Sequence, residues 1–439
     1  MRNLTQARIA GVLFPILSDL PTHLVRARAF GVQQITMILC MMVGRRERSG
    51  YRSSLFDAWQ RFGKRWRWKR RPSASSFAEA RRKPAVLEGM RVAEAAIAEQ
   101  INALGTPICQ RHPSGRRLIG VDGCRLRLEP TESIVERFGR RQSSTEETYH
   151  AEALMVSAWD LLGQRPVDRV TLPTDGSERE AIRTMYRDGG KIDSGDILVA
   201  DRGFPSRDIL DELLDLGRDF IIRIAAGEQR KWREVERFFR NRRGGRDQWI
   251  TLQTGNRTRK IRLVRKTFIV GRGAKRREST VVLVTSLADK DWSRADLMEA
   301  YRHRWAIEVQ FREMKDLFAS EGFHARFADG IEQELIAYHI VQMVTAILVA
   351  KTLQTAVPAD TWNDPERSWV NRRMAIKIAW VILEASLTQP KTRFARTVAI
   401  MLAELLREVG KRRPGRSFPL VRRMPVSKWH ACWRNRAAA

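Results

Sequence analysis

The chain has 439 residues, enough for about three modules of about 150 residues and so for a sizeable buried core. Its four cysteines (Cys40, Cys109, Cys124, Cys432) show no CxxC or zinc-like spacing, which excludes a disulfide scaffold and a cysteine zinc site and fits a reducing cytoplasm. Eighty Lys and Arg against 50 Asp and Glu leave a net charge of +30, and a chain this basic calls for a polyanionic partner, usually nucleic acid. A GC-rich genome explains Arg in place of Lys, but not an excess of thirty cations.

Residues 1 to about 105 carry helical periodicity and no strand alternation. The apolar run 9–17 follows Arg2 and Arg8 as in a short signal peptide, but Pro15 interrupts it and no clean small-residue cleavage site follows. Residues 35–43 are too few to span a bilayer, and 331–350 carry Glu332, Glu334 and His339, as a buried helix does. A soluble protein without a membrane partner is expected. Residues 61–71 (RFGKRWRWKRR) hold seven cations with Trp66 and Trp68 between them. Ser75 or Ser76 is expected to cap the short helix that follows, and Pro84 to open the next. The basic run beside two helices suggests DNA contact; a solvated face of a plain helical domain is the other reading.

From Arg117 the pattern becomes α/β. RLIGVDGCRLRL (117–128), AEALMVSAWDL (151–161), DILVADRG (196–203) and FIIRIA (220–225) read as strands. SEREAIRTMYRDG (177–189), capped by Ser177 with Glu178 and Glu180 in its first turn, and PSRDILDELLDLG (205–217) read as helices. This succession predicts a mixed sheet covered by helices. Residues 230–277 then hold eighteen cations against three acids, a net +15. Their apolar and basic residues alternate in QWITLQT and KIRLVRKTFIV, which predicts a β insertion gripping DNA rather than a solvated loop. STVVLVTSL (279–287) returns to the core, and a long helix is expected from the Ser293 cap.

Three acids stand out for chemistry. Asp122 lies mid-strand in IGVDG, with Gly123 leaving space beside it. Asp201 ends the apolar run ILVA, where open α/β sheets present functional groups. Either alone is more often a structural turn or cap. In YRHRWAIEVQFREMK, Tyr301, Arg304, Glu308 and Lys315 fall on one helical stripe about 60° wide, with Trp305, Ile307 and Phe311 left for packing. An ordinary surface ion-pair stripe is the bland alternative. Phosphodiester cleavage and strand transfer need an activated hydroxyl and a stabilised leaving oxygen. Two Mg²⁺ about 3.5–4 Å apart do both, and hard cations seek carboxylates.

Asp122 in VDG, Asp201 in ADRG and the Tyr301, Arg304, Glu308, Lys315 tetrad together resemble the bacterial DDE transposases of the insertion sequence 4 type, with their YREK signature. The resemblance extends to PSASSFAEARRK before the core and to GIEQELIAYHI (330–340) after it. It implies a ribonuclease H-like mixed sheet with flanking helices, interrupted by a β-rich insertion between Asp201 and Glu308. The divisions expected are a helical DNA-binding region over 1–110, the catalytic core over 111–345 with the insertion at about 226–280, and a helical basic region over 346–439 suited to dimerisation. The resemblance further implies that Asp122, Asp201 and Glu308 are catalytic and hold two Mg²⁺ (Mn²⁺ able to substitute). Tyr301, Arg304 and Lys315 would hold DNA phosphates, beside Arg202. The expected partner is double-stranded DNA, as transposon ends and target, bound by a homodimer in the bacterial cytoplasm at the nucleoid. One position departs from the family: where some members stack a Trp on a flipped base, Val281 stands here, leaving Trp249 or Trp292 as alternatives. A structure-specific nuclease and a transposase-derived DNA-binding protein are the competing functions.

Overall fold

The computed structural model describes residues 5–15, 30–43, 50–103, 115–142, 147–186, 190–224, 232–240, 245–254, 257–270, 276–317, 322–356 and 368–411. Part of the 9–17 run, the GRGAK turn and the chain beyond 411 lie outside them. Helices α1 (Gln6–Leu13), α2 (Val32–Val43), α3 (Tyr51–Phe62), α4 (Ala74–Arg81) and α5 (Pro84–Ala103) form the N-terminal body. Ser73 rather than Ser75 or Ser76 caps α4: it alone keeps the extended backbone a cap needs (φ −81°, ψ 154°), and its hydroxyl accepts from the Ser76 amide at 3.1 Å. All seven cations of 61–71 are exposed, while the tryptophans between them pack inward. Trp66 stacks on Phe62 and Trp68 meets Phe30 edge-on.

The middle of the chain runs β1 (Leu118–Leu128), α6 (Glu132–Phe138), β2 (Arg140–Gln142), β3 (Glu147–Asp160), β4 (Arg165–Pro173), α7 (Glu178–Tyr186), β5 (Ile197–Ala200), α8 (Arg207–Asp215), β6 (Asp219–Ile224), α9 (Arg233–Arg240), β7 (Asp247–Thr254), β8 (Arg257–Val270) and β9 (Arg277–Thr285). They build one mixed sheet in the order β2-β3-β1-β5-β6-β9-β8-β7, with β4 also on β3. β1 is antiparallel to β3 and parallel to β5, and β6 is parallel to β5. This mixed sheet with helices on its faces, behind an N-terminal helical body, is the expected fold class, and its order fits a ribonuclease H-like core. The basic segment is not a separate β unit. Its strands continue the same sheet through β9, which pairs with β6 from Ile221↔Thr285, and the segment contributes a helix, α9.

Helices α10 (Arg294–Arg302), α11 (Trp305–Leu317) and α12 (Ala328–Ala356) follow, then β10 (Ser368–Val370), α13 (Arg372–Thr388), α14 (Lys391–Leu406) and β11 (Val409–Lys411), so a small β10–β11 pair lies in the C-terminal region expected to be helical. One core packs α7, α8 and α9 on one sheet face; another packs α10, α11 and Trp292 on the opposite face. A third gathers the N-terminal helices around α12. α12 is long and apolar enough to cross a membrane, yet most of it is buried inside the fold. Its charges are paired there: Glu334 with Arg81 at 3.1 Å, Glu332 with Arg169 at 2.8 Å and His339 with Glu94 at 2.5 Å.

Candidate active site

β1 is flanked on both sides only as far as Val121, which pairs with Ala200 at the end of β5. The first four residues of β1 are accordingly buried, and alternation begins once one flank is open. Asp122 is the first residue past that limit, and Asp201 is the residue at which the chain leaves β5. Two acids distant in sequence thus meet at one break in the sheet.

Helix α10 starts on a capping box in which Ser293 and Asp296 satisfy each other's amides. It stops at Arg302, and a turn at His303 and Arg304 precedes α11. The expected long helix is therefore two, with Tyr301 at the end of one and Glu308 in the first turn of the next. The stripe survives the break. The Tyr301 hydroxyl donates to Asp201 Oδ1 at 3.0 Å. Arg304, 8% exposed, lies with Nη1 3.6 Å from Asp122 Oδ2, donates through Nη2 to Glu308 Oε1, and sits over the Tyr301 ring. One guanidinium and one phenol connect three carboxylates from three elements.

The charges in this cluster differ in state. Burial pushes the Asp122 carboxyl up to about 6, with Glu178 and Asp201 adding to the rise and the Gly123 amide and Arg304 opposing it. Burial would also raise Asp201, but the Arg202 amide, Arg304, the Tyr301 hydroxyl and Arg223 together hold it below the usual carboxylate range. Burial and the Asp201 charge raise the Tyr301 phenol, so it remains a donor.

Asp122, Asp201, Tyr301, Arg304 and Glu308 therefore come together. Arg202 and Lys315 are exposed at the rim, Lys315 about 10 Å along the helix from Glu308. Arg304, expected on DNA phosphate, is engaged with Asp122 and Glu308 in this DNA-free chain. Trp305 is not a packing residue: it is 56% exposed beside Arg304, because the turn at 303–304 rotates it outward. Trp292 is fully buried and cannot stack on a base, whereas Trp249 is 41% exposed. The sequence marks Glu178 as a first-turn acid of α7, yet its carboxylate is turned toward Gly123 of β1. The signal for it was Gly123, whose missing side chain makes the room.

As they stand, no three His, Cys, Asp or Glu side chains among the described residues meet within metal-binding reach. The donor set still fits a hard cation. Its oxygens are carboxylates, and Arg304 occupies the cation's electrostatic place among them.

Residues 113–344 match the family model described as transposase DDE domain, more than half of the chain. The chain belongs to the DDE transposase family. Among solved structures, this DDE transposase is similar to the piggyBac transposase in its synaptic complex with hairpin DNA, at 11% identity and a TM-score of 0.43 over 90% of this chain and 82% of that one. No curated protein matches its sequence.

Proposed function

We propose that this DDE transposase belongs to the bacterial insertion sequence 4 type, acts in the cytoplasm at the nucleoid, and moves its element by cut-and-paste. It binds the terminal inverted repeats as a homodimer, cleaves the ends and joins them to target DNA. The observation that carries this reading is the convergence of Asp122, Asp201 and Glu308, from two strands and a helix, on the Arg304–Tyr301 pair. Asp122, Asp201 and Glu308 would hold two Mg²⁺, with Mn²⁺ able to substitute. When bound, such ions activate the attacking hydroxyl and offset charge on the leaving oxygen.

The chain's own groups divide the remaining work. Tyr301 fixes the orientation of Asp201 by donating to one of its oxygens, leaving the other free of that bond. Arg304 keeps the clustered acids from repelling one another, and its planar fork suits a scissile phosphate. Lys315 and Arg202 extend the site toward flanking phosphates. Trp305 and Trp249 offer exposed rings to an unstacked base. Exposed Val381 and Ile400 on α13 and α14 give the homodimer apolar surface.

The test is a strand-nicking assay on end DNA with Mg²⁺, run beside a gel shift. Asp122→Asn, Asp201→Asn and Glu308→Gln each abolish nicking and strand transfer, while binding survives on the cationic surface. Near-parental cleavage by any one removes that residue from the site. Nicking without strand transfer supports the nuclease reading instead.

A further inference from the structure

The back of α11 is not an ordinary core face. Ile307, Gln310 and Met314 recur at helical spacing and all are buried, so position 310 lies in the middle of the stripe on which the helix packs. An amide there costs free energy unless it is bonded inside the fold. Two residues turn a helix by about 200°, so Gln310 points nearly opposite Glu308 from within the same turn.

Its partners come from α12. Gln310 Nε2 donates to the Tyr338 hydroxyl at 2.5 Å and to Gln342 Oε1 at 2.7 Å, and Gln342 Nε2 donates to the same hydroxyl at 2.7 Å. All three side chains are buried, and their bonds close a ring. Three residues on, Glu313 accepts from Arg372 Nε at 2.6 Å, at the start of α13. Both charges of that pair act on the Tyr338 phenol. α11 is thus held by directional bonds on the side away from Glu308. Apolar packing alone tolerates small rotations of a helix about its axis, whereas a closed set of hydrogen bonds specifies one. A carboxylate about 5–6 Å from the helix axis moves about 1 Å for a roll of about 10°. A displacement of that size can cost about a hundredfold in rate.

Resting on the catalytic reading of Glu308 given above, we propose that Gln310, Tyr338 and Gln342 are positioning residues. They lock the roll of α11, and with it the approach of Glu308 to Arg304 and Asp122. The experiment measures kcat and KM for nicking of end DNA by the full chain, at a temperature where urea melts show each variant fully folded. Gln310→Met, Tyr338→Phe and Gln342→Met combined replace the ring by apolar groups of similar volume and leave none of its polar atoms unpaired. Stability and KM are expected to stay near the parent's, while kcat falls at least about tenfold. Tyr338→Phe alone, which removes one oxygen, lowers kcat in the same direction and decides the matter if the combined variant does not fold. Parental kcat in the folded variants, whatever their stability, with Glu308→Gln inactive, makes the ring a purely structural contact and overturns the proposal. Nicking by Glu308→Gln at the parental rate overturns the reading of Glu308, and this proposal with it.

Discussion

Asp122 carries the clearest thermodynamic signature of the site. Its carboxyl is raised from 3.8 to about 6 in the folded chain, chiefly by burial. The folded state therefore binds this proton more tightly than the unfolded chain does. The resulting stability is fully present below about pH 4 and is lost as pH rises through about 6. In the metal-free protein at pH 7, Asp122→Asn should raise the melting temperature by a few degrees, on the order of 1–3 kcal/mol. The gain should vanish near pH 4. Thermal melts across pH 4–8 check it, and an unchanged or lower melting point at pH 7 means burial does not strain this group. That Asp122, Asp201, Tyr301, Arg304 and Glu308 meet was legible because each combines a chemical type with a telling position: mid-strand before a glycine, at a strand's end, and on a helical stripe; Lys315 lies apart from them. Glu178 was not legible. A first-turn acid has an ordinary local explanation, and only the folded sheet reveals that its carboxylate fills the space beside Gly123.

At the scale of elements, the strands with apolar runs were read from the sequence, while β4 and α9 were not. β4 (RPVDRVTLP) carries charges that a buried strand seldom holds; Arg169 is tolerated there because Glu332 of α12 and Glu94 of α5 meet it. The alternation in β8 was read correctly, but not the destination of its cations. Arg257 and Arg259 pair with Asp211 and Asp215 at the end of α8. Arg265 is buried and donates to the Phe238 carbonyl at 3.1 Å. Arg262 is buried too, bidentate to Asp247 and donating to the Trp292 carbonyl at 2.7 Å, and so ties β8 to the approach to α10. A charge count cannot separate these from cations that face solvent, since their acids lie 15–48 residues away. Lys260 and Lys266 do face solvent. Arg262→Ala should therefore cost about 3 kcal/mol in urea melts and leave the salt dependence of DNA binding unchanged. Lys260→Ala and Lys266→Ala should leave stability unchanged and flatten that dependence by about 0.9 log units each, if each meets a phosphate. A stable Arg262→Ala protein with a flattened slope would reverse these assignments.

Across the whole molecule, the excess of positive charge matters only where cations reach solvent without being spent on internal acids. Residues 61–71 meet that condition most fully. All seven of their cations are exposed, and Arg61 pairs with Glu384 of α13. The segment is also fixed in place. Trp66 and Trp68 anchor it to Phe62 and Phe30, and Arg67 adopts φ +55° to turn the chain between them. From there α3 and α4 are bound to the centre of the fold. Tyr51 donates to the His324 carbonyl at 3.2 Å, and Arg81 holds Gln333, the Gly330 carbonyl and Glu334 of α12. The basic arch is thus tied through α3 and α4 to His324 and α12, and we predict that it meets DNA phosphates. Phosphate contacts of this kind position the duplex without reading its sequence. Replacing Lys64, Arg65, Lys69 and Arg70 together by Gln should flatten the log–log salt slope of binding by about 3–4 units. Affinity should fall by the same factor for end DNA and for unrelated DNA. At saturating DNA, nicking should keep its parental rate, because none of the four lies in the catalytic cluster. Fluorescence anisotropy over a salt series, on both duplexes, makes the measurement. An unchanged slope would place the DNA on another face, and a selective loss for end DNA would make the arch a reader of sequence.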